Sequence, residues 1–580
     1  MKNFILVFLF LFLSNALFAQ SWLWAKESTP QSISGIGDLP TDHSIAVDNS
    51  GNVYMVGVFS DTIGFGAYQL KTSARQGNVF LTKYSPSGAI IWVRQAILHI
   101  NTQGGCWGTG VAVDTNKNVF ITGVFSDTVT FGTYTLIDNQ AQEETFITKY
   151  DSAGNVLWAR QSSLQGSGTA NSIAVDNFGN AYITGQFRDS VFFGTKALHC
   201  SFVAMFLVKY DQAGSVLWAK QPLFDNISTS CGNSVAADVS GNAYITGYFS
   251  NSIKLGAFTL TGSAYSNVFA AKYDSSGNVI WAKQASFSSH PGVNACSITV
   301  DAFENVYLTG QFTSNISFGT YNLTTGSNSN SDFFLVKYGK MGNVAWAKQG
   351  NVLDNNSWSG ISIAYTKDLN QGQGYLAVVG YNTYSYNIGI GNDTFLLNLN
   401  YPYRSATILV NFDSAGNTSC GSIFSEGTED DADGICVDKY GEYVYLGGDI
   451  FNSLTLGKDS LPYGNDMPFI ARWQPCSSSV LPPPVTAEPC NSLFVPDAFS
   501  PNNDGQNDIL YVRGDCINTM DFLIFDRWGN KVFESENQSI GWDGSYKGQA
   551  MNTGTYVWYL KVTLNDGTVV NKKGSVALVR

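Results

Sequence analysis

At 580 residues, with 44% apolar and 13% charged side chains, the chain exceeds one ordinary domain and can bury sizeable cores, which excludes a largely disordered protein. Its 45 acidic and 32 basic residues give a formal net charge of −13, which opposes approach to nucleic acid or an anionic membrane, and no basic run offsets it. Fifty-eight Gly against 15 Pro, with 14% aromatics, is the composition of short strands and tight turns, so the expected class is all-β.

Lys2, an apolar run over 4–13 and small or polar residues up to Ala19 have the three-part layout of a secretory signal over 1–19. Leu17 and Ala19 would precede a cut near Gln20. The run is too short for a mature membrane helix and no later stretch is long and apolar enough, so no transmembrane segment is expected after cleavage.

Beyond this segment one phrase keeps returning. Ser-Ile-Ala-Val-Asp at 44–48 reappears as apolar residues ending at Asp114, Asp176, Asp238 and Asp301, at intervals of 66, 62, 62 and 63 residues, and such self-similarity marks a repeat architecture. Each copy runs on into an aromatic strand such as Asn52-Val53-Tyr54-Met55-Val56-Gly57. A second landmark, Lys-Tyr and then Gly-Asn-Val-x-Trp-Ala-Lys/Arg-Gln, supplies Trp158, Trp281 and Trp346, with variants at Trp92 and Trp218. Two weaker copies follow, over 361–424 without the tryptophan and over 435–473.

Four strand-like segments per copy, for instance 173–176, 181–187, 205–210 and 216–221, describe a propeller blade, whose faces are buried only by stacking on neighbours. Seven copies are counted, and the seventh stops at Trp473 without a fourth strand. The segment 21–26 matches the missing strand, and Trp24 stands 68 residues before Trp92. The N-terminal strand is therefore expected to complete the last blade and close a seven-bladed β-propeller over 20–475.

Asp48 and Asp151 open Asp-x-x-Gly-Asn turns. A catalytic pair is needed once, whereas these recur blade after blade, so side chains bonded to turn amides are a better reading than acid–base catalysis or calcium ligation. The recurring Trp24, Trp92, Trp158, Trp218, Trp281 and Trp346 could stack a sugar or a quinone. Packing between blades is the expected role, on the area a tryptophan buries. In an up-and-down blade the short turns share one face. The other face carries long, varied connections (60–78, 96–109, 126–144) with a repeated Phe-Gly-x-x-x-Leu core at Phe65, Phe131 and Phe318. These are expected to hold an extra ordered turn and a free tip where ligands bind.

The phrases Ala-Val-Asp-x-x-Gly-Asn-x-Tyr-x-Thr-Gly and Lys-Tyr-Asp-x-x-Gly-Asn-Val-x-Trp resemble those of the SBBP-type β-propeller repeat proteins over 21–475. The resemblance implies the architecture and no single activity.

A proline-bearing linker, 476–490, ends the repeats. Over 491–580 a new pattern follows: Val495-Pro496-Asp497-Ala498-Phe499-Ser500-Pro501-Asn502-Asn503-Asp504-Gly505, the hairpin phrase Ile524-Phe525-Asp526-Arg527-Trp528-Gly529-Asn530, Trp542-Asp543-Gly544 and Gly554-Thr555-Tyr556. A small antiparallel β-sandwich is expected. In this order the phrases resemble the gliding motility-associated C-terminal domain, the type B sorting signal of the Bacteroidetes type IX secretion system; Asp497, Asn503 and Asp526 stand where Asn, Gly and Asn are more usual. The resemblance implies handling of 491–580 by the type IX machinery, passage across the outer membrane, and release or surface attachment. Asn502, Asp504, Gln506 and Asp508 alternate oxygen ligands around Gly505, which would suit calcium, although the spacing departs from the helix-loop-helix pattern and an Asx turn is plainer.

Nine cysteines in an exported chain permit disulfides, and closeness in sequence suggests the pairs Cys490 with Cys516 and Cys420 with Cys436. His43, His99, His199 and His290 share no spacing, so neither a zinc site nor a histidine-based catalytic set is expected, and no cofactor is assigned. Two function classes remain: a secreted or cell-surface binding or adhesion scaffold for glycan or protein, expected as a monomer, and an extracellular hydrolase or lyase on the propeller face. The only local concentration of acids, 426–433, reads as a solvated loop, so binding is preferred and no catalytic residue is assigned.

Overall fold

The computed structural model describes residues 21–30, 43–475 and 494–579, less short intervals within them such as 288–292, 353–356, 368–373, 397–404, 426–430, 462–466, 503–506 and 514–516. The expected signal peptide and linker, His290, Cys490, Cys516, Asp504 and Gln506 lie outside the described residues. Among the described residues every regular element is a strand, no helix is long and apolar enough to cross a membrane, and the chain divides into two compact units, Met1–Ser477 and Ser478–Arg580.

In the first unit four antiparallel strands recur in chain order over 44–95, 106–161, 168–220, 230–284, 293–352 and 357–425, one further strand joining the third set and two the fifth. The next sheet departs from chain order: Asp431–Val437, Val444–Ile450 and Met467–Gln474 are joined at the edge by Ser21–Glu27, with Trp22 opposite Trp473 and Glu27 opposite Phe469. Second and third strands, such as Val53–Phe59 and Asn78–Tyr84, are buried at every position. Neighbouring sheets cover both of their faces, so they read as continuous apolar runs. Fourth strands alternate: Ile90–Gln95 buries Trp92 and exposes Ile91.

The apolar clusters span consecutive sheets. Tyr54, Val56 and Trp92 of the first pack with Val111, Ile121 and Phe146 of the second. One cluster joins Ile45 and Met55 of the first sheet to Trp24, Tyr445 and Ile470 of the last.

Glu27 is half-buried, with Oε2 wholly so, and burial raises its carboxyl from 4.5 to about 7. A carboxyl raised on folding stabilises fully below its unfolded value, and that contribution is lost as pH rises through about 7. Glu27→Gln is therefore expected to melt about 1–3 °C above the parent at pH 8 and to coincide with it at pH 4. Parallel melting curves at both pH values would contradict this.

The second unit holds a five-stranded sheet in the order Ala498–Phe499, Val569–Leu578, Gly554–Leu564, Ile517–Phe525, Lys531–Ser535. Its inner face buries Phe522, Ile524, Trp558 and Leu560, onto which Leu510, Val512 and Trp542 pack. The expected antiparallel sandwich is corrected in two respects. Ala498–Phe499 runs parallel to Val569–Leu578, and among the described residues the covering layer is mostly irregular chain, tied by bridges between Phe494 and Arg513 and between Leu510 and Trp542. Its Pro-, Asn- and Asp-rich phrases do not sustain a ladder.

Two further expectations change. Cys436 is a free thiol, as are Cys106, Cys200 and Cys231, so it makes no bridge to Cys420. Closeness in sequence misleads here because the two belong to neighbouring sheets, Cys420 opposite Asn411 and Cys436 opposite Tyr445. Asp431 and Asp433 stand on the strand Asp431–Val437 and not in a loop.

Candidate functional site

The turns between first and second strands are built around one buried acid. Asp48 Oδ1 accepts the backbone amides of Ser50 and Asn52 at 2.8 and 3.0 Å, and Oδ2 accepts the Asn52 side-chain amide and the Tyr54 hydroxyl at 2.8 and 3.0 Å. Asp176, Asp238 and Asp301 repeat the pattern. Burial, and then the Asp48 carboxylate, pushes the Tyr54 phenol up, so it stays protonated and donates. These acids serve the turn.

From the third strand, Lys83, Lys149 and Lys209 lie over the rings of Tyr54, Phe120 and Tyr182 at 5.1, 4.7 and 4.9 Å. They donate to the carbonyls of Ser152, Gln212 and Ser275 on the following sheet at 2.9, 3.3 and 3.3 Å. The same carbonyls accept from the indoles of Trp92, Trp158 and Trp218 at 3.2, 2.9 and 3.0 Å. Trp281 reaches Lys340 O at 3.1 Å. The glycine of the receiving turn lies on the preceding tryptophan in most sheets: a Cβ on Gly214, Gly277 or Gly416 would stand 2.8, 2.9 or 3.0 Å from Trp158, Trp218 or Trp346, whereas Gly154 faces Arg94. Trp24 makes this contact with Gly88 and donates to Pro86 O at 3.0 Å, so the last sheet meets the first as the others meet each other.

Where the first strands converge they line a cavity of about 300 Å³. A register shift interrupts the ladder there in the second to fifth sheets, between Gly108 and Gly110, Ala170 and Ser172, Gly232 and Ser234, and Ala295 and Ser297. The extra residue is thereby re-aimed. Thr109 donates to Ala170 O at 2.7 Å, Asn171 to Gly232 O at 3.0 Å and Asn233 to Ala295 O at 2.7 Å, in each case on the next sheet. The adjoining serines return the bond: Ser44, Ser172 and Ser234 accept the amides of Val111, Val235 and Ile298 at 3.2 Å. His43 Nδ1 lies 3.0 Å from Asp449 Oδ2, both buried, and ties the first sheet to the last. Cys296 also lines the wall, and burial raises its thiol to about 12, which keeps it protonated and unreactive. Sequence reasoning began the repeated phrase one residue late and missed this ring, although Asn171 and Asn233 stand at the same place before Ser-Ile/Val-Ala.

The opposite-face connections are largely sheet, where an ordered turn with a free tip was expected. Thr62–Phe65 and Tyr68–Lys71 form a hairpin that Thr29–Pro30 extends to three strands, and Ile97–Leu98 with Thr128–Phe131 and Tyr134–Ile137 repeats it. Buried Phe65 is followed by Gly66 at φ 58°, as a two-residue turn requires. Tyr68, Tyr134 and Tyr321 donate to the carbonyls of Ile91, Leu157 and Ala345 on the fourth strand at 3.0, 2.6 and 2.6 Å. The Gln that follows Trp-Ala-Lys/Arg, given no role by sequence, pins the hairpin's far end. Gln161 both accepts from Ile137 N and donates to Ile137 O at 2.8 Å, and Gln349 does the same with Thr324 at 2.9 Å.

One sheet breaks the pattern. Ala181–Phe193 and Lys196–Tyr210 run unbroken from sheet into hairpin, leaving Phe202 exposed and His199 Nδ1 2.8 Å from Ser190 Oγ. His99 pairs with Thr130 Oγ1 at 3.0 Å.

In the second unit Asp508 Oδ1 accepts the Asn502 amide at 3.0 Å, so the one described acid of the suggested calcium loop bonds back to the backbone at the loop's start.

Family models match two parts of the chain: the beta-propeller repeat (SBBP) at residues 157–186 and the CHU_C type IX secretion signal domain at residues 493–578. A curated relative, an uncharacterized WD repeat-containing protein of Acanthamoeba polyphaga mimivirus, is 27% identical over 327 residues, covering 45% of this chain and 23% of its own length. The chain thus spans about a quarter of that protein. Among solved structures, an apocarotenoid oxygenase/RPE65 chimera is 10% identical with a TM-score of 0.32, covering 70% of this chain and 92% of its own. The extracellular domain of a putative hybrid two-component system from B. thetaiotaomicron is 11% identical with a TM-score of 0.15, covering 94% and 88%. The chain therefore joins an SBBP beta-propeller repeat to a C-terminal type IX secretion signal domain.

Proposed function

We propose that the chain is a secreted or cell-surface binding or adhesion protein of the type IX route, whose repeats form a seven-bladed propeller closed by Ser21–Glu27 and present a glycan or protein ligand on the hairpin-bearing face. The ring is supported by Trp24 on Gly88, by His43 beside Asp449, and by a cavity to which first strands from 43–45 through 434–435 all contribute. The export route is supported by the signal domain at 493–578.

One contrast carries the binding reading. The turn face repeats a single self-bonded Asp-x-x-Gly device, whereas the hairpin face varies, most of all where Ala181–Phe193 and Lys196–Tyr210 run on into the hairpin, with a bulge between Arg188 and Ser190 and Phe202 exposed. Replacing 188–203 by a two-residue turn is expected to lower retention of the purified chain on intact cells and on a glycan array, by about tenfold or more for a dominant contact, while cooperative melting persists. Unchanged retention would overturn the choice of face. A chain ending at Ser477 is expected to fold and bind like the parent and to stay in the periplasm of a bacterium that carries the type IX system; its arrival at the surface would overturn the export reading.

A further inference from the structure

The outward face of the second unit's sheet carries an uncovered apolar patch. Phe525 stands opposite Val557, and Leu523 opposite Tyr559, on the side away from the core. Val557 is 49% and Tyr559 38% exposed, and Leu523 and Phe525 are half-buried. The strand bearing Phe525 leads directly into the turn Asp526-Arg527-Trp528-Gly529-Asn530, where Trp528 is 78% exposed.

That tryptophan is held still. Asp526 Oδ1 accepts the amides of Trp528 and Asn530 at 2.8 and 2.9 Å, Oδ2 accepts the Asn530 side chain at 2.9 Å, and the Arg527 guanidinium lies 5.3 Å from the indole. The turn is the one used in the repeats, where Gly88, Gly214, Gly277, Gly342 and Gly416 are seated on a neighbouring sheet's tryptophan and Gly154 on Arg94. Here a Cβ on Gly529 would meet nothing within 4 Å. A fixed turn that in the repeats packs its glycine against a neighbouring side chain packs it against none among the described residues here, with an exposed indole at its tip and an apolar patch beside it, which is the anatomy of a recognition surface.

We propose that Trp528 and the patch Leu523, Phe525, Val557 and Tyr559 form the surface by which the type IX machinery grips this domain. The proposal rests on the export reading above. Charges of both signs edge the patch, Arg527 and Lys573 with Asp521 and Glu534, all exposed, so the partner is an apolar slot with a polar rim that meets both.

Trp528→Ala leaves the turn's geometry unburdened, because Ala153, Ala213 and Ala415 occupy the same position in identical turns. In the full chain, expressed in a type IX-competent bacterium, Trp528→Ala is expected to reduce protease-accessible surface protein about tenfold or more, with periplasmic accumulation. The melting midpoint of the purified chain should be unchanged, Trp528→Phe should restore delivery, and Arg527→Glu should impair it independently of the indole. Delivery of Trp528→Ala at the parental level overturns the proposal. So does loss of delivery that tracks a lowered melting midpoint while Arg527→Glu is delivered normally, or a Trp528-dependent dimer in sedimentation without an export defect. If the chain ending at Ser477 also reaches the surface, the export reading fails instead, which keeps the two failures apart.

Discussion

A chain that starts at Glu27 in place of Ser21 is expected to lose its single cooperative melting transition and to self-associate. The deletion removes the ladder against Met467–Gln474, the ring contacts of Trp22 with Trp473 and of Trp24 with Tyr445, and the bond from Trp24 to Pro86 O. Removing a large buried aromatic costs about 3–5 kcal/mol, and losing Trp24 with part of Trp22 approaches the whole stability of a typical domain, about 5–15 kcal/mol. The newly bare edge of Met467–Gln474 would offer its unpaired amides and carbonyls to a second molecule. Calorimetry with light scattering reads both effects, and a peptide of residues 20–30 should reverse them in trans. A truncated chain that melts as the parent does, as a monomer, would show that this strand closes nothing.

The second large effect concerns the seat between tryptophan and glycine. Gly214 holds φ 79°, and its Cβ would lie 2.8 Å from Trp158. Gly214→Ala combines the left-handed backbone penalty, about 1–2 kcal/mol, with overpacking of about 1–3 kcal/mol. Trp158→Ala alone is expected to cost about 3–5 kcal/mol. In the Trp158→Ala background the clash is gone, so the second substitution should cost only its backbone share, and the pair should be less damaging than the sum. Denaturant melts of the four chains measure this. Strict additivity would mean that the turn does not rest on the indole.

Much of the architecture was legible because the repeat forces the same physics on each sheet. Asp48, Tyr54, Lys83 and Trp92 recur together since they form one bonded path from turn to neighbouring sheet. The match of 21–26 to a fourth strand was readable for the same reason. Less was legible where partners come from afar. No local pattern announces that His43 meets Asp449, or that Asn171 bonds across to Gly232. The bridge inferred between Cys420 and Cys436 failed because sequence proximity crosses from one sheet to the next. The connections were underestimated because the short third strands, Thr29–Pro30 and Ile97–Leu98, are only two residues long and carry no periodicity. The ring around the cavity was hidden in bulges, which shift register without leaving a compositional mark.

The edge strand Ser21–Glu27 is made early in synthesis, and its partner Met467–Gln474 late. An emerging chain therefore carries an unmatched strand through the making of all the intervening sheets, and the seam between last and first can form only when residue 474 has arrived. Completion of the first unit in this way waits on the arrival of its last strand. A product cut short within the repeats would lack both its latch and the export address that follows at 493–578.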